Sequence, residues 1–166
     1  FRKRGRFLME DYIEAKMKTE GYSLFHPQDH DLETQLAWYK GASAIVSTDN
    51  SALHLAAFVI NPDCKIGILL RRPGAIFADF EMQLRWFAGV RPDIIDACTR
   101  YWFRAGEKVQ YNEVYALIDF EKTARALKSA GIIENANWVN PSNADVDRAV
   151  EKLEADTETR FDEIFL

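Results

Sequence analysis

The sequence predicts an α/β fold: a Rossmann-like, doubly wound, mainly parallel sheet with helices on both faces and a long C-terminal helix. Three observations carry this. Short apolar runs, Ala44-Ile45-Val46 and Ile66-Gly67-Ile68-Leu69-Leu70, have the β-branched content of buried parallel strands. Segments with helical spacing alternate with such runs, the pattern of βαβ units. Capping and stop residues fall at the ends of those segments. The 166 residues suffice for one domain with a sizeable core.

Taken in order, the chain opens on Arg2-Lys3-Arg4-Gly5-Arg6, either a solvated tail or a set of arginines that fold over a bound phosphate. A helix is predicted over Leu8 to Glu20, with Met9, Ile13 and Met17 at four-residue spacing and Tyr12 on the same side. Gly21 ends it as a left-handed cap, and Tyr22 to Phe25 predicts a short strand. His26, Asp29, His30 and Asp31 lie in a loop whose spacing fits no metal signature, and Pro27 marks a turn there. Asp31 caps the next helix, whose inward stripe is Leu32, Leu36 and Tyr39 and whose end is Gly41.

The strand Ala44 to Val46 then feeds a helix, Ala52 to Phe58, through the polar turn Thr48-Asp49-Asn50-Ser51. Helix N–H groups at such a corner carry partial positive charge and suit phosphate. The turn is therefore a diphosphate cradle or an ordinary capped corner. Asp49 is its sole carboxylate, fit to orient a sugar hydroxyl, to act as base or to cap the helix, and His54 lies one turn further, facing the site or packed. Arg71-Arg72-Pro73-Gly74-Ala75 follows the second strand, at the end where ligands gather in open α/β sheets. Arg71 and Arg72 either reach the ligand of Asp49 to Ser51 or form a basic surface loop.

Phe77 to Phe87 reads as an aromatic-rich helix with Phe80, Leu84 and Phe87 in the core. Ile94 to Phe103 contains a strand, and Tyr111 to Ile118 is a clearer one. Asp119 caps a helix with Phe120, Ala124 and Leu127 inward, closed by Gly131. A polar linker, Asn135 to Asn143, leads to a capping box, Ser142 with Asp145. The helix after it, 143–165, carries Val146, Val150, Leu153, Thr157 and Ile164 along one side. It packs back on the domain or docks an N-terminal domain or partner chain. The division expected is a Rossmann-like domain over 1–134, then a linker and helix over 135–166.

The net charge of −5 disfavours general nucleic-acid binding. No apolar run approaches the roughly 20 residues of a membrane span. No signal peptide is read in this stretch, and a start at Phe1 predicts a piece of something longer. These features predict a cytoplasmic protein, membrane-associated only through partners. Cys64 and Cys98 match no metal or redox spacing and read as buried thiols. No G-x-G-x-x-G, Walker loop, Ser-His-Asp or Cys-His arrangement occurs. No Asp-x-Asp pair flanks a strand, so neither a cofactor nor a divalent ion is expected.

Several segments together resemble glycosyltransferase family 61. Gly5-Arg6-Phe7-Leu8-Met9-Glu10-Asp11 is similar to its Arg and Asn-Glu helix start, and Gly21-Tyr22 to its Gly-aromatic entry. Glu33 to Ala42 resembles its Gln-apolar-small helix, Ser47 to Phe58 its Gly-x-His/Asp-Gly-Ser/Ala-x-Leu loop, and Asp119-Phe120 its later Asp-aromatic start. The similarity covers about the first sixty residues well and the middle poorly. It implies the C-terminal, donor-binding half of a two-domain inverting glycosyltransferase with paired Rossmann-like halves. Such enzymes transfer a sugar from a nucleotide-sugar donor to a glycan acceptor, often in capsular or other surface polysaccharide synthesis.

Carried onto this sequence, Arg6 and Glu10 match the early Arg and Glu, and Asp49, Asn50 and Ser51 match the donor loop. The resulting expectation is Asp49 and His54 in catalysis, with Arg4, Arg6, Glu10, Thr48, Asn50, Ser51, Arg71 and Arg72 on the substrate. Met9 replaces the family's Asn, and Ser47 and Asn50 replace its Gly, which favours a rival reading as a non-catalytic interaction or regulatory module. An epimerase is opposed by the missing Gly-rich loop and Tyr-x-x-x-Lys pair. The resemblance also places the acceptor half before Phe1, so that this half alone is inactive.

Overall fold

The computed structural model describes residues 5–72 and 77–165. Its elements are α1 (Glu10–Thr19), α2 (Leu32–Gly41), β1 (Ala44–Thr48), α3 (Ala52–Ala56), β2 (Lys65–Leu69), α4 (Phe77–Gln83), β3 (Asp93–Ile95), β4 (Cys98–Arg104), β5 (Tyr115–Ile118), α5 (Phe120–Ser129), α6 (Asn143–Thr157) and β6 (Phe161–Ile164). A π-helical turn, Leu84–Ala88, continues α4.

The fold is mixed α/β, as the alternation predicts, but the sheet is not one doubly wound parallel sheet. It is two three-stranded sheets: a parallel one in the order β1-β2-β3 and an antiparallel one in the order β5-β4-β6. The reason lies in the connection 105–114, which holds one short 3₁₀ turn and no α-helix. A parallel crossover needs a dozen or more residues and usually a helix, so β4 and β5 pair antiparallel. Only Asp96 and Ala97 separate β3 from β4, and this junction joins the sheets. Phe7 bridges Ala116 in parallel, with the Leu8 N–H donating to Ala116 O at 2.8 Å and the Ala116 N–H to Arg6 O at 3.0 Å. The N-terminal segment is thereby fixed beside β5.

Strand β2 is the wall between two cores, as period-two alternation requires. Ile66, Ile68 and Leu70 pack with Leu53, Phe80 and Leu84, while Leu69 packs with Leu117, Phe120 and Leu127. At Gly67 a Cβ would sit 3.0 Å from Ile132 Cδ1 and 3.1 Å from Leu127 Cδ2, so glycine lets α5 close on the sheet.

Several expectations hold. Asp31 caps α2 by accepting the Thr34 N–H, Asp119 caps α5 by accepting the Lys122 N–H, and the Ser142–Asp145 box opens α6. Gly21 and Gly131 take positive φ. Others are corrected. Tyr22 to Phe25 forms no strand. Leu32 and Phe87 are 58% and 57% exposed, off the inward stripes assigned to them. Strand β1 is half-buried along its whole length because it is an edge. The C-terminal helix stops at Thr157, not 165. Glu158 turns left-handed at φ 50, the Phe161 N–H donates to Glu154 Oε1 at 2.7 Å, and Ile164 belongs to β6, paired with β4. The apolar side of α6, led by Val146, covers its own domain.

Candidate functional site

The polar centre of the molecule lies where β1 and β2 end. Asp49 follows β1, Arg71 and Arg72 follow β2, and parallel pairing in register (Thr48 opposite Leu69) sets them side by side. The Arg71 N–H donates to Asp49 Oδ1 at 3.1 Å. Arg72 Nε donates to Asp49 Oδ2 at 2.5 Å and its Nη2 to Asp49 O at 3.1 Å. The Asp49 side chain is fully buried, whereas Arg72 keeps 24% of its side chain exposed. Both Asp49 oxygens are thus engaged, and neither caps α3.

Arg71 turns inward. Its Nη1 donates to Val114 O at 3.0 Å and its Nη2 to Asn112 O at 3.4 Å, tying the end of β2 to the approach to β5. The Gly5 N–H shares Asn112 O at 3.3 Å. A Cβ on Gly5 would stand 1.9 Å from Val114 O and 2.6 Å from Arg71 Nη1, so only glycine fits. Burial lowers the pKa of the Arg71 guanidinium, and Asp49 opposes that by favouring its charge. An arginine so held remains a cation. Arg71 is a clamp, and the two arginines that read as one basic pair do different work.

Gly5 carries Arg6 to the same place. Arg6 is exposed, and its side chain makes no hydrogen bond or ion pair among the described residues. Met9 then adopts the left-handed conformation, φ 60 and ψ 38, without capping α1 by its side chain. This is the position where the resembling family has Asn, a residue that visits that region readily. The turn delivers Glu10, half-buried, into the field of Arg6, His26 and Arg71. Burial raises the Glu10 carboxyl above its ordinary value, although the Arg6 and Arg71 guanidiniums oppose it.

The turn 48–51 is closed on itself. Asn50 Nδ2 donates to Thr48 Oγ1 at 2.8 Å and to Ser47 Oγ at 3.0 Å, and its Oδ1 accepts the Ala52 N–H at 2.9 Å. The Leu53 and His54 N–H groups bond Asn50 O and Ser51 O. The expected row of outward helix N–H groups is consumed locally, and α3 ends at Ala56 instead of Phe58. The exposed polar side chains there are Asn50 and Ser51. His54 lies apart: its Nδ1 meets Gln83 Oε1 at 2.5 Å and its ring packs on Phe80 at 4.7 Å. Arg4 lies outside the described residues.

Cys98 belongs to this region although its spacing announced nothing. Its Sγ donates to Leu70 O at 3.0 Å, and burial pushes its thiol up to about 12. It is a neutral donor that pins β4 to the end of β2. A β-bulge between Cys98 and Arg100 bends β4 beside it. Among the described residues no group of three or more His, Cys, Asp or Glu is placed to hold a metal ion. A cleft of about 260 Å³, lined by Lys16, Thr19, Glu20, Asn135, Asn137 and Trp138, lies elsewhere.

The family model described as Glycosyltransferase 61 matches residues 1–67. Over that stretch the chain is similar to glycosyltransferase family 61. The matched segment holds Arg6, Glu10, Thr48, Asp49, Asn50, Ser51 and His54, and the fold sets Arg71 and Arg72, which follow it, against Asp49. No curated protein and no solved structure gives a significant match. No helix among the described residues is long and apolar enough to cross a membrane.

Proposed function

We propose that this chain belongs to glycosyltransferase family 61 and is the donor-binding half of an inverting enzyme of surface polysaccharide or glycan synthesis. It takes a nucleotide sugar at the ends of β1 and β2, without a divalent ion or further cofactor, and works in the cytoplasm. The supporting observation is that the family-matched Arg6, Glu10 and Asp49 converge with Arg71 and Arg72 on one polar centre.

In the transfer, the acceptor hydroxyl oxygen bonds to the anomeric carbon while the bond from that carbon to the diphosphate breaks. The electron pair leaves with the nucleoside diphosphate, and the hydroxyl proton passes to a base. Charge grows on the leaving group, so fixed cations there lower the barrier most. Arg6 and the outer nitrogens of Arg72 supply them, and Thr48, Asn50 and Ser51 offer hydrogen bonds beside them. Asp49 is a positioning residue: it aims Arg72. Arg71 holds the walls, and Glu10 takes a hydroxyl of the donor. His54 positions α3 through Gln83.

Calorimetry with nucleoside diphosphates and nucleotide sugars tests the reading, with and without a divalent ion. One nucleotide class should bind, and Arg6→Ala should weaken it with the fold intact. A folded protein that binds none of them overturns it.

A further inference from the structure

Three aromatic rings from α2 and the loop before it stack outside the polar centre. Phe25 lies between His30, at 4.8 Å and 14°, and Trp38, at 4.8 Å and 16°. Tyr39 meets Phe25 edge-on at 5.8 Å and 89° and anchors it to the core. Trp38 is 46% exposed and His30 is exposed, so the outer rings of the stack reach solvent. The loop that carries it is fixed. Gln35 Nε2 donates to Pro27 O at 2.8 Å and to His30 O at 3.0 Å, and Asp31 Oδ1 accepts the Thr34 N–H at 2.8 Å. Such a platform is preorganised, so a ligand loses little to ordering it.

We infer that the Phe25–His30–Trp38 stack is a saccharide-binding platform that takes a neutral or amino hexopyranose ring of the glycan acceptor. The inference rests on the glycosyltransferase reading for the word acceptor, and on the stack alone for the sugar. The C–H face of a pyranose is apolar and flat enough to lie on an aromatic ring, while its equatorial hydroxyls point outward to polar groups. Asp29, Asp31 and Glu33, next to or near His30 in the chain and all exposed, supply these. Three carboxylates also repel phosphates, uronates and nucleic acid, which leaves an uncharged or cationic ring as the complementary partner.

The experiment is calorimetry of the whole chain with cellotetraose, maltotetraose and chitotetraose, and with tetragalacturonate as the anionic control. At least one of the neutral or N-acetylated sugars should bind and the uronate should not. Trp38→Ala should weaken binding by about tenfold, the scale of losing one stacking ring. Trp38→Phe should keep most of it, which shows that a ring is needed. Trp86→Ala, at a residue 80% exposed elsewhere, should change nothing. Binding that is absent for every sugar, or equal in Trp38→Ala and the parent, overturns the platform. Nucleotide binding is read separately in the same samples. If it persists while the sugars fail, only the platform falls. If sugars bind through Trp38 and no nucleotide does, the donor-half reading falls and the platform stands.

Discussion

Helices α2, α5 and α6 begin on side-chain caps, from Asp31, Asp119 and the Ser142–Asp145 box. Helices α1 and α3 do not. Met9 stands before α1 in a left-handed conformation, and Ser51 before α3 makes no cap bond. The capped helices carry the frame, and the uncapped pair carries Glu10 and the turn 48–51. A cap satisfies the helix start and gains about 1 kcal/mol. At α1 and α3 local backbone geometry places polar side chains instead, as sites often do at a cost in strain. Frame and site therefore respond differently to substitution.

The sharpest way to break that division is Arg72→Ala. It leaves the fully buried Asp49 carboxylate without its cation, which should cost about 3–5 kcal/mol in urea denaturation. A loss below about 1 kcal/mol would mean that water already screens the pair. Arg6→Ala, at an exposed residue, should stay within about 0.5 kcal/mol of the parent.

Glycines give the next contrast. Gly5→Ala pushes a Cβ to 1.9 Å from Val114 O, where rigid backbone must yield, at about 1–3 kcal/mol. Gly41→Ala, with nothing within 4 Å of its Cβ, should stabilise α2 by about 0.4–1 kcal/mol. Equal thermal shifts for the two variants would erase the distinction.

Asp119→Ala should remove about 1 kcal/mol of stability at neutral pH. The Lys122 N–H, first among several hydrogen bonds, lowers the Asp119 pKa below its ordinary 3.8. A lowered carboxyl contributes fully above the unfolded value and loses its contribution as pH falls through the folded one. Acid titration of the parent below about pH 4 should therefore show a loss that Asp119→Asn flattens. The last contrast concerns Met9. Met9→Asn should be more stable than Met9→Ala by about 0.5–1 kcal/mol, since Asn tolerates positive φ and Ala does not. Equal stabilities would remove strain from the account of α1.

The frame was legible because its signals are local. Phe120, Ala124 and Leu127 repeat at helical spacing behind Asp119, and all are buried. The Ser142–Asp145 box is four residues of sequence that make their own hydrogen bonds. The site was legible only as a list. Asp49, Arg71 and Arg72 were named together from their places after two strands, but nothing in Arg71-Arg72 says that one guanidinium turns to Val114 O and its neighbour to Asp49. Cys98 and Gly5 were read as a bland thiol and as part of a motif, because their partners are far away in the chain.

By itself, then, the sequence determined the capped starts of α2, α5 and α6, the β1-β2 parallel pair and the likeness to family 61 over residues 1–67, since each rests on contacts within a few residues or on a local pattern. Tertiary structure alone decided that β4 and β5 run antiparallel, that α6 stops at Thr157 so that β6 can pair, and that Arg71 is buried as a clamp. Those outcomes depend on which surfaces meet across many residues, and burial and backbone hydrogen bonding settle them only when the whole chain is packed.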